Sequence, residues 1–255
     1  MDNAATVFEF WQLLLGSIIH RPYVYAFFAC FVVLATYQLG WKRMLTFLVS
    51  TWVITFLCEY SSTRNGFPFG PYTYIDTTRD RELWISNVPF WDSLSFVFLS
   101  YFSFVMAAEF LGRQRWLTPV VGGLVMMLLD VVIDPVALEG HKWFLGQIYS
   151  YPYQGFYFGV TAANFCGWFF VGLTTQLAFQ LFVAFAPWCR DGWRKTHPWF
   201  IWAVYAVYAG VFGFNLGVTV FIKDYPLAMT SAVVSGSTLA CLAVFLRKRG
   251  LACPS

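Results

Sequence analysis

The sequence predicts an all-α protein, a polytopic integral membrane helical bundle of about seven transmembrane helices with two long structured loops on the non-cytoplasmic side. Three observations predict this fold. Of the 255 residues, 59% are hydrophobic and only 11% are charged, whereas about a quarter of the residues of a soluble domain are charged. Several apolar runs approach or exceed the roughly 20 residues that span a bilayer as a helix. No internal repeat or linker interrupts the chain, so we expect a single transmembrane domain over residues 1–255.

Long apolar runs give the positions of the helices in chain order. The predicted spans lie at about 22–39, 44–59, 91–111, 117–136, 163–187, 198–222 and 226–246. Residues 5–19 form a further apolar run, which is shorter, and we interpret it as an interfacial helix rather than as a span.

The basic residues indicate the orientation of these spans. Ten of the sixteen Lys and Arg residues fall in connections that share one face of the predicted bundle: Lys42, Arg43, Arg113, Arg115, Arg190, Arg194, Lys195, Arg247, Lys248 and Arg249. Cytoplasmic connections of membrane proteins carry an excess of such residues, so this face is predicted to be cytoplasmic. We therefore expect an integral protein of a bacterial cytoplasmic membrane with its N-terminus outside.

Two long connections, 60–90 and 137–162, then lie on the opposite face. Both are rich in Gly, Pro, Tyr and Trp rather than in flexible polar residues, as in "NGFPFGPYTY" (65–74) and "YPYQGFYFGV" (151–160). Long loops of compact domains are often functional. We expect structured lids or re-entrant loops.

Four carboxylic acids and one amide fall at membrane depth, toward the non-cytoplasmic ends of the predicted helices. Glu59 ends the second span, Asp92 begins the third, Asp130 and Asp134 end the fourth, and Asn164 begins the fifth. A carboxylate in hydrocarbon costs about 2.5–3.5 kcal/mol on insertion scales, so such residues usually have a function.

Asp130 and Asp134 stand four residues apart and therefore share one face of a helix. Two carboxylates this close in a low dielectric do not both ionise readily, so we expect one of them to hold its proton at neutral pH. A protonated carboxyl group in an apolar pocket is a strong general acid.

Structural explanations are open for each of these acids. Asp134 precedes Pro135, which is an ordinary stop signal for a helix, and Asp92 suits the N-terminus of the third span. Glu59 could be a solvated helix end. Asp130 could pair with Arg64 or with a transported cation.

Missing motifs narrow the chemistry. The three histidines form no metal-binding box, the six cysteines form no CxxC pair, and no nucleotide-binding loop or nucleophile motif is present. We therefore expect no metal, no cofactor and no nucleic-acid partner. Acids, one amide and many aromatic rings inside a membrane suit acid-initiated carbocation chemistry on a lipid-soluble alkene, because aromatic faces stabilise cations.

Four stretches carry a resemblance to a known family. They are "EYSSTRNGFPFGPYTY" (59–74), "NVPF" (87–90), "DVVIDPVALEGHKW" (130–143) and "GFYFGVTAANFCGW" (155–168). In this order they resemble the carotenoid biosynthesis membrane proteins that include the CruF-type carotenoid hydratases. The motif positions that the resemblance marks are Glu59, Gly66, Pro68, Phe69, Tyr72, Tyr74, Asp130, Asp134, Trp143, Asn164 and Trp168.

The resemblance implies a cofactor-independent hydro-lyase that adds water to a terminal isoprenoid double bond of a carotenoid and forms a tertiary alcohol. Its predicted partners are the lipid-soluble carotenoid, membrane lipid and water as co-substrate. In this interpretation Asp130 or Asp134 donates the proton, Glu59 or Asp92 positions the water and takes its proton, and Asn164 orients the acid or the water. The predicted substrate-binding residues are Arg64, Phe69, Tyr72, Tyr74, Trp143, Tyr157 and Trp168.

Two alternatives remain open at this stage. A membrane terpene cyclase would use the same protonation, but an internal double bond would capture the cation. A proton-coupled transporter or a receptor-like binder would need no reaction at all, although acids grouped near one face argue against a relay through the membrane.

Overall fold

The computed structural model describes residues 3–113, 116–189 and 194–248, and it describes the side chains within residues 7–244 of these ranges. Seven of its helices are long and apolar enough to cross a membrane, which confirms the predicted helical membrane bundle. In chain order the α-helices of the described residues are α1 (Asn3–His20), α2 (Pro22–Leu39), α3 (Trp41–Asn65), α4 (Phe90–Leu111), α5 (Leu117–Leu138), α6 (Ala162–Phe185), α7 (Trp199–Phe221) and α8 (Tyr225–Lys248). The seven membrane-spanning candidates are α2 to α8.

The predicted boundaries agree with these helices to within a few residues, except in the second span. Helix α3 continues beyond the predicted end at residue 59 to Asn65, where Gly66 with φ of 80° stops it in the left-handed conformation that favours glycine. Glu59 therefore lies inside a helix and not at a solvated helix end.

Helices α4 and α5 form the centre of the bundle. In each of them 78% of the most apolar window is buried, compared with 22% in α7 and in α8. The other spans pack around this pair, so the acids on α4 and α5 lie on the two spans with the largest buried share.

The connections that carry most of the basic residues meet at one end of the bundle. Arg43 Nε donates a hydrogen bond to the Cys189 carbonyl oxygen at 2.6 Å, and Arg194 N donates to the Gln38 carbonyl oxygen at 3.3 Å. Arg115, Arg190 and Arg249 lie outside the described residues, as do the side chains of Arg247 and Lys248. The orientation of this end toward the cytoplasm, with the N-terminus outside, stays a prediction.

The two long loops form a joint cover at the other end. Strand β1 (Thr73–Tyr74) of the first loop pairs antiparallel with β4 (Tyr149–Ser150) of the second. A second short pair joins β2 (Trp84–Ile85) to β3 (Val88–Pro89) just before α4 begins. The predicted structured loops are confirmed, and they are bonded to each other.

Helix α1 supports this cover from the side. Its Ser17 Oγ accepts a hydrogen bond from Leu83 N at 2.8 Å. Gly16 packs so closely on the loop that an added Cβ atom would lie 1.9 Å from the Arg81 carbonyl oxygen. Many large side chains of α1, among them Phe8 and Trp11, are exposed, as an interfacial helix requires.

Candidate active site

Asp130, Asp134 and Asn164 form the centre of the candidate site. Thr161 is the N-cap of α6, and its Oγ1 accepts a hydrogen bond from Asn164 N at 3.3 Å, which fixes the first turn of the helix. The Asn164 amide then reaches α5, where Nδ2 donates to Asp130 Oδ2 at 2.7 Å and also to Asp134 Oδ2. One amide thus bridges the two acids that the sequence singles out.

The environments of these two acids differ. Asp134 lines an internal cavity and accepts a further hydrogen bond at 3.3 Å from Trp168 Nε1. Asp130 is fully buried, and its partner is Asn164 rather than Arg64. Helix α5 continues past Pro135 to Leu138, so Asp134 does not mark the end of the helix.

Glu59 faces the same cavity from α3. Its Oε2 atom accepts a hydrogen bond from Ser93 Oγ of α4 at 2.6 Å, and the residue is 1% exposed. The Oε1 atom has no hydrogen-bond partner among the described residues. A buried carboxylate oxygen without a partner usually indicates that water or a ligand completes the site.

Asp92 lies in the first turn of α4, but its side chain does not cap the helix. Instead its Oδ2 atom accepts a hydrogen bond from the Tyr74 hydroxyl, which in turn accepts one from the Tyr72 hydroxyl at 3.4 Å. Burial raises the pKa of both tyrosine hydroxyls well above the usual value. The two tyrosines are therefore neutral phenols that can donate and accept hydrogen bonds at the same time.

The cavity contains about 920 Å³ of space not filled by protein atoms, part of it open to the outside. Its polar end is formed by the acids, Asn164 and four tyrosines of the loop cover, and the rest of its wall is apolar. This combination of an apolar cavity and a few convergent polar groups is typical of a small-molecule site.

Aromatic rings surround the polar end. The rings of Phe96 and Trp168 lie 4.5 Å apart, and Phe69 lies 5.8 Å from Phe96. Phe69 is held in this position because its backbone N donates to Ser62 Oγ at 2.9 Å. Gly167 leaves room for it, since an added Cβ atom would come within 2.5 Å of Phe69 Cδ1.

The structure brings most of the predicted site residues together at this cavity. Those that line it are Glu59, Phe69, Tyr72, Tyr74, Asp92, Asp134, Trp143, Asn164 and Trp168. Asp130 lies directly behind them, bonded to Asn164.

Two predicted residues lie elsewhere. Arg64 is exposed, donates to Asn87 Oδ1 at 2.8 Å and stacks on the Tyr60 ring. The Tyr157 hydroxyl is 3.3 Å from Ser231 Oγ of α8. Neither residue is among those that line the cavity.

Other cavity residues were missed by the sequence reasoning. Tyr149 and Tyr151 complete the tyrosine cover, and the Tyr149 hydroxyl donates to the Asp134 carbonyl oxygen at 3.3 Å. Their spacing of two residues in "YSYPY" is the same as that of Tyr72 and Tyr74, and such spacing predicts one face of a strand. Ser93 gave no comparable signal, because a serine in an apolar helix is common.

Among the residues that the structure describes, no group of three or more His, Cys, Asp or Glu side chains is arranged to hold an ion. The acids of the site are instead bonded to an amide, a serine and a tyrosine.

Comparison with known proteins identifies the family. No curated protein and no solved structure matches the chain. One family model, described as carotenoid biosynthesis protein, matches residues 20–238. The matched range contains every residue that lines the cavity. The match confirms the resemblance carried by the sequence motifs. The chain therefore belongs to the carotenoid biosynthesis protein family.

Proposed function

We propose that this protein is a carotenoid hydratase, which adds water to a terminal isoprenoid double bond of an acyclic carotenoid. One observation carries the proposal: a pair of amide-bridged carboxyl groups, Asp130 and Asp134, lies at the polar end of a largely apolar cavity inside a membrane bundle. A lipid-soluble alkene fits the apolar wall, and the acids are what its protonation requires.

Asp134 is the proton donor in this proposal, since it lines the cavity and Asp130 does not. The two acids hold one proton between them, because two negative charges on one amide in a low dielectric repel each other. The proton moves to the less substituted carbon of the double bond. The π electrons form the new C–H bond, and the other carbon becomes a tertiary cation.

Aromatic side chains stabilise this cation. Trp168, Phe96 and Phe69 line the cavity next to Asp134, and each aromatic face contributes about 0.5–2 kcal/mol to a desolvated cation. The adjacent negative charge left on the acid pair adds to this stabilisation.

Glu59 positions the water and takes its proton in this proposal. Its unpartnered Oε1 atom accepts a hydrogen bond from a water molecule, while Ser93 holds Oε2. A lone pair of the water forms the C–O bond with the cation, and the water gives one proton to Glu59. The tyrosine hydroxyls and Asp92 then return this proton to the acid pair, so that one alkene and one water give one alcohol.

The test is expression of the chain in a bacterial host that makes lycopene, with the extracted pigments identified by mass spectrometry. We expect products heavier than lycopene by one or two water molecules. A product of unchanged mass with a new retention time would identify a cyclase instead. Unchanged pigments in cells that contain the folded protein would overturn the hydratase proposal.

Glu59→Gln is expected to lower hydration by about 10²-fold or more, because general-base catalysis typically contributes 10²–10⁴-fold. Glutamine keeps the size of the side chain and can still accept a hydrogen bond from Ser93. Protonation by Asp134 continues, so the cation should collapse to isomerised or cyclised pigments. Chromatography of the extracted pigments measures this ratio.

The matched control for that variant is Glu139→Gln, the same chemical change at a residue that does not line the cavity. It should leave the pigment profile unchanged. Equal hydration by Glu59→Gln and by the control would show that Glu59 is not the base.

Tyr74→Phe is expected to lower the rate about 10-fold or more, since a hydrogen bond to a charged group contributes about 1.5–3 kcal/mol. The ring stays in the cavity wall, but Asp92 loses its donor. We expect a loss in kcat rather than in KM. Tyr60→Phe removes a hydroxyl outside the cavity and should have no effect; a Tyr74→Phe enzyme with wild-type kcat would contradict the role of the tyrosines.

A further inference from the structure

Two helices of low burial, α2 and α7, form one wall of the apolar part of the cavity. Behind the cavity, Phe98 and Leu99 of α4 are each only 3% exposed and belong to the packed centre of the bundle. On the other side, Tyr23 and Phe27 of α2 and Phe214 of α7 line the cavity and are half-buried, on helices of which only 33% and 22% of the most apolar window is buried. These three side chains form the cavity wall on the side of the two little-buried helices.

Contacts between aromatic rings close this wall. The rings of Tyr23 and Phe214 stack across the gap between the helices, with their centroids 4.9 Å apart and their planes 19° apart. One helical turn further along, Phe27 lies against Gly210, where an added Cβ atom would be 3.6 Å from Phe27 Cε1. Around Gly213 an added Cβ atom would meet no described atom within 4 Å.

Both helices are long and apolar enough to cross the membrane, so their outer faces meet the bilayer. Phe27 and Phe214 carry no polar group and can shift without breaking a hydrogen bond, whereas the Tyr23 hydroxyl is hydrogen-bonded to Arg21. The loop cover, in contrast, is closed by paired strands and by a buried ion pair between Arg21 and Glu82. The contact between α2 and α7 is thus an apolar side of the cavity.

We infer that the apolar tail of the substrate leaves the cavity between α2 and α7 and lies along Tyr23, Phe27 and Phe214 at the bilayer. The inference rests on the proposed function for its substrate class, a long acyclic carotenoid. The cavity has a polar end with the acids and an apolar wall, so it takes an end group and part of the chain. The remaining stiff polyene has to extend outward, and only an apolar exit avoids moving it through water.

Gly210 is the position that tests this path. Gly210→Leu fills the gap beside Phe27, whereas Gly210→Ala adds only an atom at an ordinary contact distance. Gly213→Leu is the matched control, because it makes the same change one turn away on α7, at a site where the surroundings are open. Each variant is purified in detergent from lycopene-producing cells, in the Asp134→Asn background, and the bound pigment per protein is read from its absorbance.

We expect Gly210→Leu to lower the bound lycopene at least about 10-fold, which corresponds to 1.4 kcal/mol. Gly210→Ala and Gly213→Leu should retain it. Equal retention by all three variants, or no retention even by the Asp134→Asn parent, would overturn the inference. Thermal unfolding of each variant shows whether Gly210→Leu is folded; if it is not, Phe27→Trp replaces it and is expected to give the same loss.

The measurement separates this inference from the proposed function, because it needs no turnover. Pigment that binds in a Gly210-dependent manner, in a protein whose wild type does not hydrate it, would leave the tail path standing and remove the hydratase. If the wild type hydrates the pigment but substitutions at Gly210 do not change pigment binding, the hydratase proposal stands and the tail path is wrong.

Discussion

Replacing Asp134 with asparagine is expected to lower the rate of carotenoid hydration by about 10²–10⁴-fold, the usual contribution of a general acid. Asparagine has the same shape, and its side-chain oxygen can still accept hydrogen bonds from Asn164 and Trp168. The amide has no acidic proton to transfer, so the cation does not form. The rate is measured as the amount of hydrated pigment formed per unit of protein.

Asp130→Asn provides the sharper comparison. Asp130 does not line the cavity, yet it shares Asn164 with Asp134. We expect its loss to lower the rate by a smaller factor, about 10-fold, because the proton donor stays but the charge that helps to hold its proton is gone. A larger loss in Asp130→Asn than in Asp134→Asn would reverse the assignment of the donor.

A change of charge outside the cavity is the control for both variants. Asp76→Asn removes a carboxylate from the first loop, at a residue that does not line the cavity. It should leave hydration unchanged. Full activity in Asp134→Asn would mean that the acid pair does not protonate the substrate.

The spans and the level of the acids could be predicted from the sequence for a simple physical reason. Hydrocarbon forces each apolar run into a helix of a set length, so successive runs alternate in direction. Glu59, Asp92, Asp134 and Asn164 therefore had to lie at the same end of the bundle. Their meeting at one cavity is consistent with this expectation.

Contacts between distant segments could not be predicted in this way. Strand β1 pairs with β4 across more than seventy residues. Each strand has only two residues, which is too short to give a recognisable strand pattern in the sequence. The end of α3 was missed because residues 60–65 are polar, so hydropathy alone ends the run at Glu59, while the helix stops only at Gly66. The hydrogen bond that Ser93 donates to Glu59 depends on how α3 packs on α4, and the sequence does not give that packing.

The buried ion pair of Arg21 and Glu82 is the largest feature that the sequence did not reveal. Arg21 directly follows α1, and nothing in the sequence indicates its partner. In the structure it is 2% exposed, its Nε lies 2.6 Å from Glu82 Oε1, and its Nη1 donates to the Leu145 carbonyl oxygen at 2.8 Å. Its guanidinium also lies 4.7 Å from the centre of the Trp91 ring. The Arg21 side chain thus connects both long loops to the N-terminus of α2.

Arg21→Ala is expected to lower the free energy of unfolding by about 3–5 kcal/mol, because it leaves the Glu82 carboxylate buried without its partner. The same change frees both loops above the cavity, so hydration should fall as well. Denaturant titration of the purified protein in detergent measures the stability. Arg21→Lys keeps the charge but not the planar fork that binds Glu82 through two nitrogens, and it should lie between wild type and alanine.

The double variant Arg21→Met with Glu82→Leu separates charge burial from loop anchoring. With neither charge present, no carboxylate is left unpaired, and replacement of a buried pair by apolar side chains is often neutral for stability or favourable. We therefore expect the double variant to regain most of the stability lost in Arg21→Ala but not all of the activity, because Leu145 still lacks its donor. If the double variant were as unstable as Arg21→Ala, the cost would come from lost packing around Trp91, and the ion pair would not be the element that holds the cover closed.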